Sequence, residues 1–146
     1  MNRILYKEES YKLIGACFEV YKQKGSGFTE PIYQECLEIE LAIQGIPFLA
    51  QPVIELEYKG RSLTQSFKPD FICYEKIIIE IKAVENLTDA HRAQALNYLN
   101  STKFGVLLVN FGHSPRLEYE RMVGPNAEVL ERSLRQEINS WTLDRN

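Results

Sequence analysis

Phe67-Lys68-Pro69-Asp70-Phe71-Ile72-Cys73-Tyr74-Glu75-Lys76-Ile77-Ile78-Ile79-Glu80-Ile81-Lys82 is the stretch on which the fold turns. Two apolar runs, Phe67 to Tyr74 and Ile77 to Ile79, flank a tight turn at Glu75-Lys76 and read as adjacent buried β-strands. Asp70 lies in the first run, and Glu80 and Lys82 close the second. Charges almost never occupy such places unless they are paired or bind a metal. Alternation along a strand points Glu80 and Lys82 one way and Ile79 and Ile81 the other, into a core. Two carboxylates that meet at a strand edge make a site for a hard cation, and a lysine beside them can serve phosphate or water chemistry. A structural ion pair between Asp70 and Lys82 is the plain alternative.

Working outward, the N-terminal side is helical. Ser10 is a candidate cap for a first helix through Leu13, Ile14, Cys17, Phe18 and Tyr21, stopped at Gly25. Gly25-Ser26-Gly27 is a turn. Thr29 is an N-cap for a second helix, with Glu30 and Pro31 in its first turn and Gly45 at its end. Val53 to Tyr58, a hairpin turn at Lys59-Gly60-Arg61 and Ser62 to Ser66 lead into the stretch quoted above. Beyond it, Thr88 or Asp89 starts a helix running to about Asn100. Phe104 to Asn110 is a buried strand and Leu117 to Val123 a last one. The tail from Asn126 to Trp141 reads as an amphipathic C-terminal helix, with Val129, Leu130, Leu134 and Ile138 on one side. An antiparallel meander followed by a helical crossover predicts an α/β (α+β) fold with a central mixed β-sheet flanked by helices.

The chain has 146 residues, 45% hydrophobic and 25% charged, which suits one packed domain over 1–146. Its net charge of −3, from 17 basic and 20 acidic residues, excludes the basic footprint of a general nucleic-acid binder. Setting aside Glu30, Asp70 and Glu80 as metal ligands leaves 17 acids against 17 bases, so a cation-loaded site tolerates a polyanion. Cys17, Cys36 and Cys73 are odd in number and widely spaced, which speaks for reduced buried thiols rather than zinc or disulfides. The first residues contain no apolar signal segment. The longest aliphatic run here, Val106 to Val109, is too short to span a bilayer. A cytoplasmic protein with no membrane partner is expected.

Several pieces together resemble a known family. Gly27-Phe28-Thr29-Glu30-Pro31-Ile32-Tyr33 fits G-x-x-E-x-x-Y, and Pro69-Asp70 with Glu80-Ile81-Lys82 resembles the PD-(D/E)xK signature. Gln94 and Tyr98 resemble the Q-x-x-x-Y helix of exonuclease-like branches, and Val109-Asn110-Phe111-Gly112 the family's strand ending. From about Tyr11 to Met122 the chain resembles the GxxExxY family of the PD-(D/E)xK nuclease superfamily; the extension from about 124 to 146 lies outside the resemblance. The resemblance implies a restriction-endonuclease-like fold and a nuclease that hydrolyses phosphodiesters, with DNA ahead of RNA as partner.

It also implies roles. Asp70 and Glu80, with the Ile81 carbonyl and Glu30, would hold Mg²⁺, for which Mn²⁺ can substitute. Lys82 would orient water or neutralise phosphate charge. Gln94 and Tyr98, four apart on one helix face, would position substrate. Plainer readings stand beside these. Glu30 suits the helix dipole, Tyr33 suits the core, His91 suits a cap, and Gln94 and Tyr98 suit hydrogen bonds to a loop. Lys22, Lys24, Lys59 and Arg61 suit a solvated surface. A catalytically silent module that binds nucleic acid or a protein remains the alternative function. The stripe Leu130, Leu134, Ile138 and Trp141 either packs on its own sheet or docks a second copy as a homodimer.

Overall fold

A computed structural model describes residues 6–102 and 104–123. The expected C-terminal helix, and the dimer stripe on it, lie outside the described residues. Helix α1 spans Lys7–Lys24, with Glu8 and Glu9 in its first turn and Lys22 and Lys24 in its last, each sign complementing the helix dipole. It begins earlier than a Ser10 cap would have it. Tyr6, in the left-handed region at φ 59°, precedes the first turn. Ser10 is instead buried within the helix, where its Oγ accepts a hydrogen bond from Arg121 Nε at 2.6 Å. Helix α2 spans Glu30–Ile43 behind Thr29, which takes the extended N-cap conformation although its side chain makes no capping bond. Helix α3 spans Asp89–Thr102. Thr88 and His91 cap it reciprocally: Thr88 N–H donates to His91 Nδ1 at 3.0 Å, and His91 N–H donates to Thr88 Oγ1 at 3.3 Å. The imidazole is thus committed to the cap.

Among the described residues the strands are β1 (Phe48–Ala50), β2 (Ile54–Tyr58), β3 (Arg61–Phe67), β4 (Phe71–Cys73), β5 (Ile77–Lys82), β6 (Gly105–Asn110) and β7 (Glu118–Met122). Five form one mixed sheet in the order β1-β4-β5-β6-β7. β5 pairs antiparallel with β4 and parallel with β6, and α3 makes the crossover between β5 and β6. This is the expected restriction-endonuclease-like arrangement, a mixed sheet flanked by helices. Two details differ from the sequence reading. The short edge strand β1 was not anticipated, because Pro47 and Pro52 bracket only a few residues. The hairpin β2–β3 does not continue the meander into the sheet but stands as a separate two-stranded ribbon. Pro69, with Lys68 before it, breaks the chain between β3 and β4.

The sheet divides the core. Ile77, Ile79 and Ile81 pack with Leu107, Val109 and the inner faces of α1 and α2, including Leu13, Cys17, Leu37 and Leu41. Ile78 and Val106 face the other way, onto Ala95 and Leu99 of α3. Each fully buried isoleucine in β5 contributes about 1.5–3 kcal/mol, which fixes the strand's facing. Glu80 and Lys82 share the parity of Ile78 and therefore lie on the α3 side.

Candidate active site

The antiparallel register of β4 and β5 decides which side chains meet. Phe71 pairs with Ile79, so one step further places Asp70 opposite Glu80. Asp70 thus sits just before β4 rather than within a strand. Its Oδ2 accepts the Ile81 N–H at 2.6 Å. Its carbonyl accepts the Gln51 N–H at 2.9 Å and the Gln34 side-chain amide at 3.1 Å.

Glu80 is 7% exposed. Burial first, then the neighbouring charge of Asp70 and a hydrogen bond with it, pushes the Glu80 carboxyl up to about 8. Burial raises Asp70 as well, opposed by the bond from Ile81 N–H. At neutral pH the pair therefore keeps a proton between two crowded carboxyls. Glu80 Oε1, buried, has no hydrogen-bond partner among the described residues, and the same holds for Gln34 Oε1.

Lys82 does not take the structural ion pair with Asp70. Its Nζ donates to Gln94 Oε1 at 3.3 Å, and Gln94 Nε2 donates to the Tyr98 hydroxyl at 3.0 Å. Burial, followed by the charges of Glu80 and Asp70, raises the Tyr98 phenol above its ordinary value and keeps it protonated. The Tyr98 ring stacks on Phe67 with centroids 4.4 Å apart. The structure therefore brings together Asp70, Glu80, Ile81, Lys82, Gln94 and Tyr98 where β4, β5 and α3 converge.

Glu30 stands apart from that group. It is exposed in the first turn of α2 and lines a cleft of about 1200 Å³ whose wall also includes Gln34, Asp70 and Ile81. Asp70 is the side chain common to this cleft and to the Glu80 pair. Tyr33 is fully buried, stacks on Phe111 at 4.7 Å and donates its hydroxyl to the Gly25 carbonyl. The same oxygen accepts the Phe28 N–H at 3.1 Å. The tyrosine of G-x-x-E-x-x-Y thus pins the loop that delivers Glu30.

Among the described residues no three or more His, Cys, Asp or Glu side chains gather closely enough to hold a metal ion. The donor set is smaller: two crowded carboxyls, of which Glu80 Oε1 is orphaned, and the orphaned Gln34 Oε1 on the side chain that holds the Asp70 backbone. Oxygen acceptors in such surroundings fit a hard cation that retains much of its water.

Sequence reasoning missed Gln34 and Glu118, and it noted Asn110 and Gly112 only as a strand ending, without their roles. Asn110, fully buried, accepts the Val84 and Gly112 N–H groups at 3.0 and 3.1 Å and donates to Glu118 Oε1 at 2.9 Å. Glu118 Oε1 also accepts the Leu87 N–H at 3.0 Å. This latch fixes the chain that leaves Lys82. Gly112 belongs to it for steric reasons, since a Cβ there would lie 2.5 Å from Val84 N. The available signal was a polar residue closing a buried run, Asn110 after Val106-Leu107-Leu108-Val109, as Glu80 follows three isoleucines.

The sequence matches the family model of the PD-(D/E)XK nuclease superfamily over residues 7–122, and the chain belongs to that superfamily. Its fold is similar to the crystal structure of SSO0001, with a TM-score of 0.51 and 16% identity, covering 95% of this chain and 70% of that one. No curated protein matches it. Among the described residues no helix is long and apolar enough to cross a membrane.

Proposed function

We propose that this protein is a Mg²⁺-dependent nuclease that hydrolyses phosphodiester bonds of DNA, and that it belongs to the GxxExxY branch of its superfamily. The observation that carries this reading is the buried Asp70–Glu80 pair, with one oxygen orphaned, beside the Lys82–Gln94–Tyr98 chain. A protein gains no stability from two carboxyls desolvated against each other, and such a pair supports the reading of a site that binds a cation. Asp70, Glu80 and the Ile81 carbonyl would hold the cation, and Glu30, on the cleft wall that Asp70 also lines, would face its water shell. When bound, Mg²⁺ polarises the scissile phosphate and eases deprotonation of the attacking water; Mn²⁺ offers the same chemistry.

The chain's own groups do the rest. Ile81 N–H holds the Asp70 carboxylate in one rotamer. Lys82, steered by the Gln94 carbonyl oxygen, places its charge where a phosphate oxygen gains negative charge. Gln94 and the protonated Tyr98 hydroxyl hold that lysine and leave a donor for substrate or water.

The test is cleavage of single- and double-stranded DNA, linear and circular, and of RNA, with Mg²⁺ or Mn²⁺, run beside Lys82→Ala and an EDTA control. Turnover lost in both controls supports the reading. Full cleavage by purified Lys82→Ala refutes the assigned site. Tight metal-independent binding without turnover moves the protein to the silent nucleic-acid-binding module.

A further inference from the structure

Resting on the nuclease reading, we propose that the β2–β3 ribbon is a nucleic-acid-binding arm that grips the sugar–phosphate backbone of the substrate away from the bond being cut. The ribbon forms no part of the main sheet, and every residue of β3 except Phe67 is exposed. An isolated two-stranded ribbon is marginal in water; this one is tied down at its base, where Ile54 packs on the α3-side core and Phe67 stacks on Tyr98. Its base is thus built into the candidate site, and among the described residues its tip is exposed.

The charges are sorted. Directly paired residues share a face, and Tyr58↔Arg61 and Ile54↔Phe67 are pairs. Between Glu55↔Ser66 and Glu57↔Ser62 the ribbon takes two steps on β2 against four on β3, an even slip that keeps the faces in phase. Tyr58, Arg61, Leu63 and Gln65, with Leu56, therefore continue the face that begins at Phe67 over Tyr98, while Glu55 and Glu57 fall on the opposite one. From Lys59 to Lys68 the chain carries Lys59, Arg61 and Lys68 and no acid. This carboxylate-free strip contrasts with the acidic balance of the whole chain. At about 3.4 Å per residue, Arg61 lies about 20 Å from the Phe67–Tyr98 stack, which on a duplex corresponds to about six phosphates along one strand. An exposed, acid-free strip of that length, with Arg61 and Gln65 as donors and Tyr58 and Leu63 as apolar contacts, suits a sugar–phosphate backbone; a two-stranded ribbon is also an element that nucleic-acid grooves admit.

The test compares full-length wild type, Lys59→Ala/Arg61→Ala, and a control, Lys12→Ala/Lys22→Ala, that removes two exposed cations from α1. Binding of fluorescein-labelled 40-bp DNA is followed by anisotropy across salt concentrations, with steady-state cleavage of the same DNA and hydrolysis of bis(p-nitrophenyl) phosphate, a diester too small to reach the arm. The arm variant is expected to bind about ten-fold more weakly at 150 mM salt and to lose about 2 from the log–log salt slope. Its KM for DNA should rise while kcat, and turnover of the small diester, stay at wild-type values. The control should match wild type. Equal binding, slope and KM in wild type and arm variant, with cleavage intact, overturn the arm and leave the nuclease standing. An equal loss in the α1 control also overturns it. Wild type that neither binds nor cuts nucleic acid overturns both proposals.

Discussion

Replacing Glu80 by glutamine should stabilise the metal-free protein while abolishing the proposed cleavage. Burial and Asp70 push the Glu80 carboxyl up to about 8, against 4.5 in the unfolded chain. Between those values the native state keeps a proton that the unfolded state has lost, so stability falls as pH rises through this window and is lowest above pH 8. The raised carboxyl of Asp70 acts in the same direction. The difference for Glu80 amounts to about 5 kcal/mol when fully developed. Glutamine keeps the shape and removes the charge, so at pH 8 Glu80→Gln should gain on the order of 3–5 kcal/mol, or roughly 10 °C in Tm for a chain of this size. At pH 5, close to the 4.5 of the unfolded carboxyl, the gap should shrink to about 1 kcal/mol. Urea unfolding in EDTA at pH 5, 6.5 and 8 reads this directly. Mg²⁺ should narrow the gap at pH 8 by stabilising wild type alone. A wild-type stability flat from pH 5 to 8, or a glutamine variant destabilised equally at each pH, would refute the picture of two carboxyls forced together.

Other consequences follow from the same geometry. Lys82→Ala should lower kcat by about 10²–10³ if the ammonium meets charge developing on phosphate, with a melting curve close to wild type; an unchanged kcat counts against that role. Tyr33→Phe loses both hydroxyl bonds to the Gly25–Phe28 loop and should cost about 1–2 kcal/mol in urea unfolding. Gly112→Ala forces a Cβ against the Val84 backbone and should cost about 1–3 kcal/mol or more, whereas Gly27→Ala, with nothing within 4 Å, should stay within about 0.5 kcal/mol. Comparable losses at the two glycines would show that the close approach at Val84 is not what Gly112 serves.

What was legible in the sequence was what one short segment encodes by itself. A hairpin across Glu75-Lys76 was legible, but its loop takes three residues, Tyr74 to Lys76, with Cys73 paired to Ile77, and that register sets Asp70 opposite Glu80 where a two-residue turn would have set it opposite Ile81. The apolar face of β5 likewise names its own core. What was not legible depends on the rest of the molecule. Ser10 has the chemistry of a cap, yet Arg121, from the far end of the described chain, draws it inside the helix. Residues 61–67 alternate no differently from a sheet strand, yet they stand outside the sheet, with Pro69 breaking the chain after them and Phe67 stacked on Tyr98. Gln34 carries no motif signal because its task, holding the Asp70 carbonyl, appears only once α2 lies against β4. Glu30 was legible as part of a pattern. Its distance from the carboxyl pair was not, since that depends on the path of the loop that Tyr33 pins.

Stability and chemistry are in tension along β5. Six residues run from Ile77 to Lys82, and the four isoleucines hold the centre of the sheet between two layers of helix. The same burial that makes this strand the anchor of the fold deprives Glu80 of water. Moving the acid to an exposed edge would relieve the strain and, on the proposed reading, weaken the hold on a cation, because both arise from one desolvated pair. Rigidity is supplied from outside the pair instead. Ile81 N–H orients Asp70, Gln94 tethers Lys82, and the Asn110–Glu118 latch holds the chain beyond Lys82. The site is therefore expected to keep its geometry without metal and to change mainly in charge when metal arrives, so metal binding should alter pH dependence and stability far more than backbone structure.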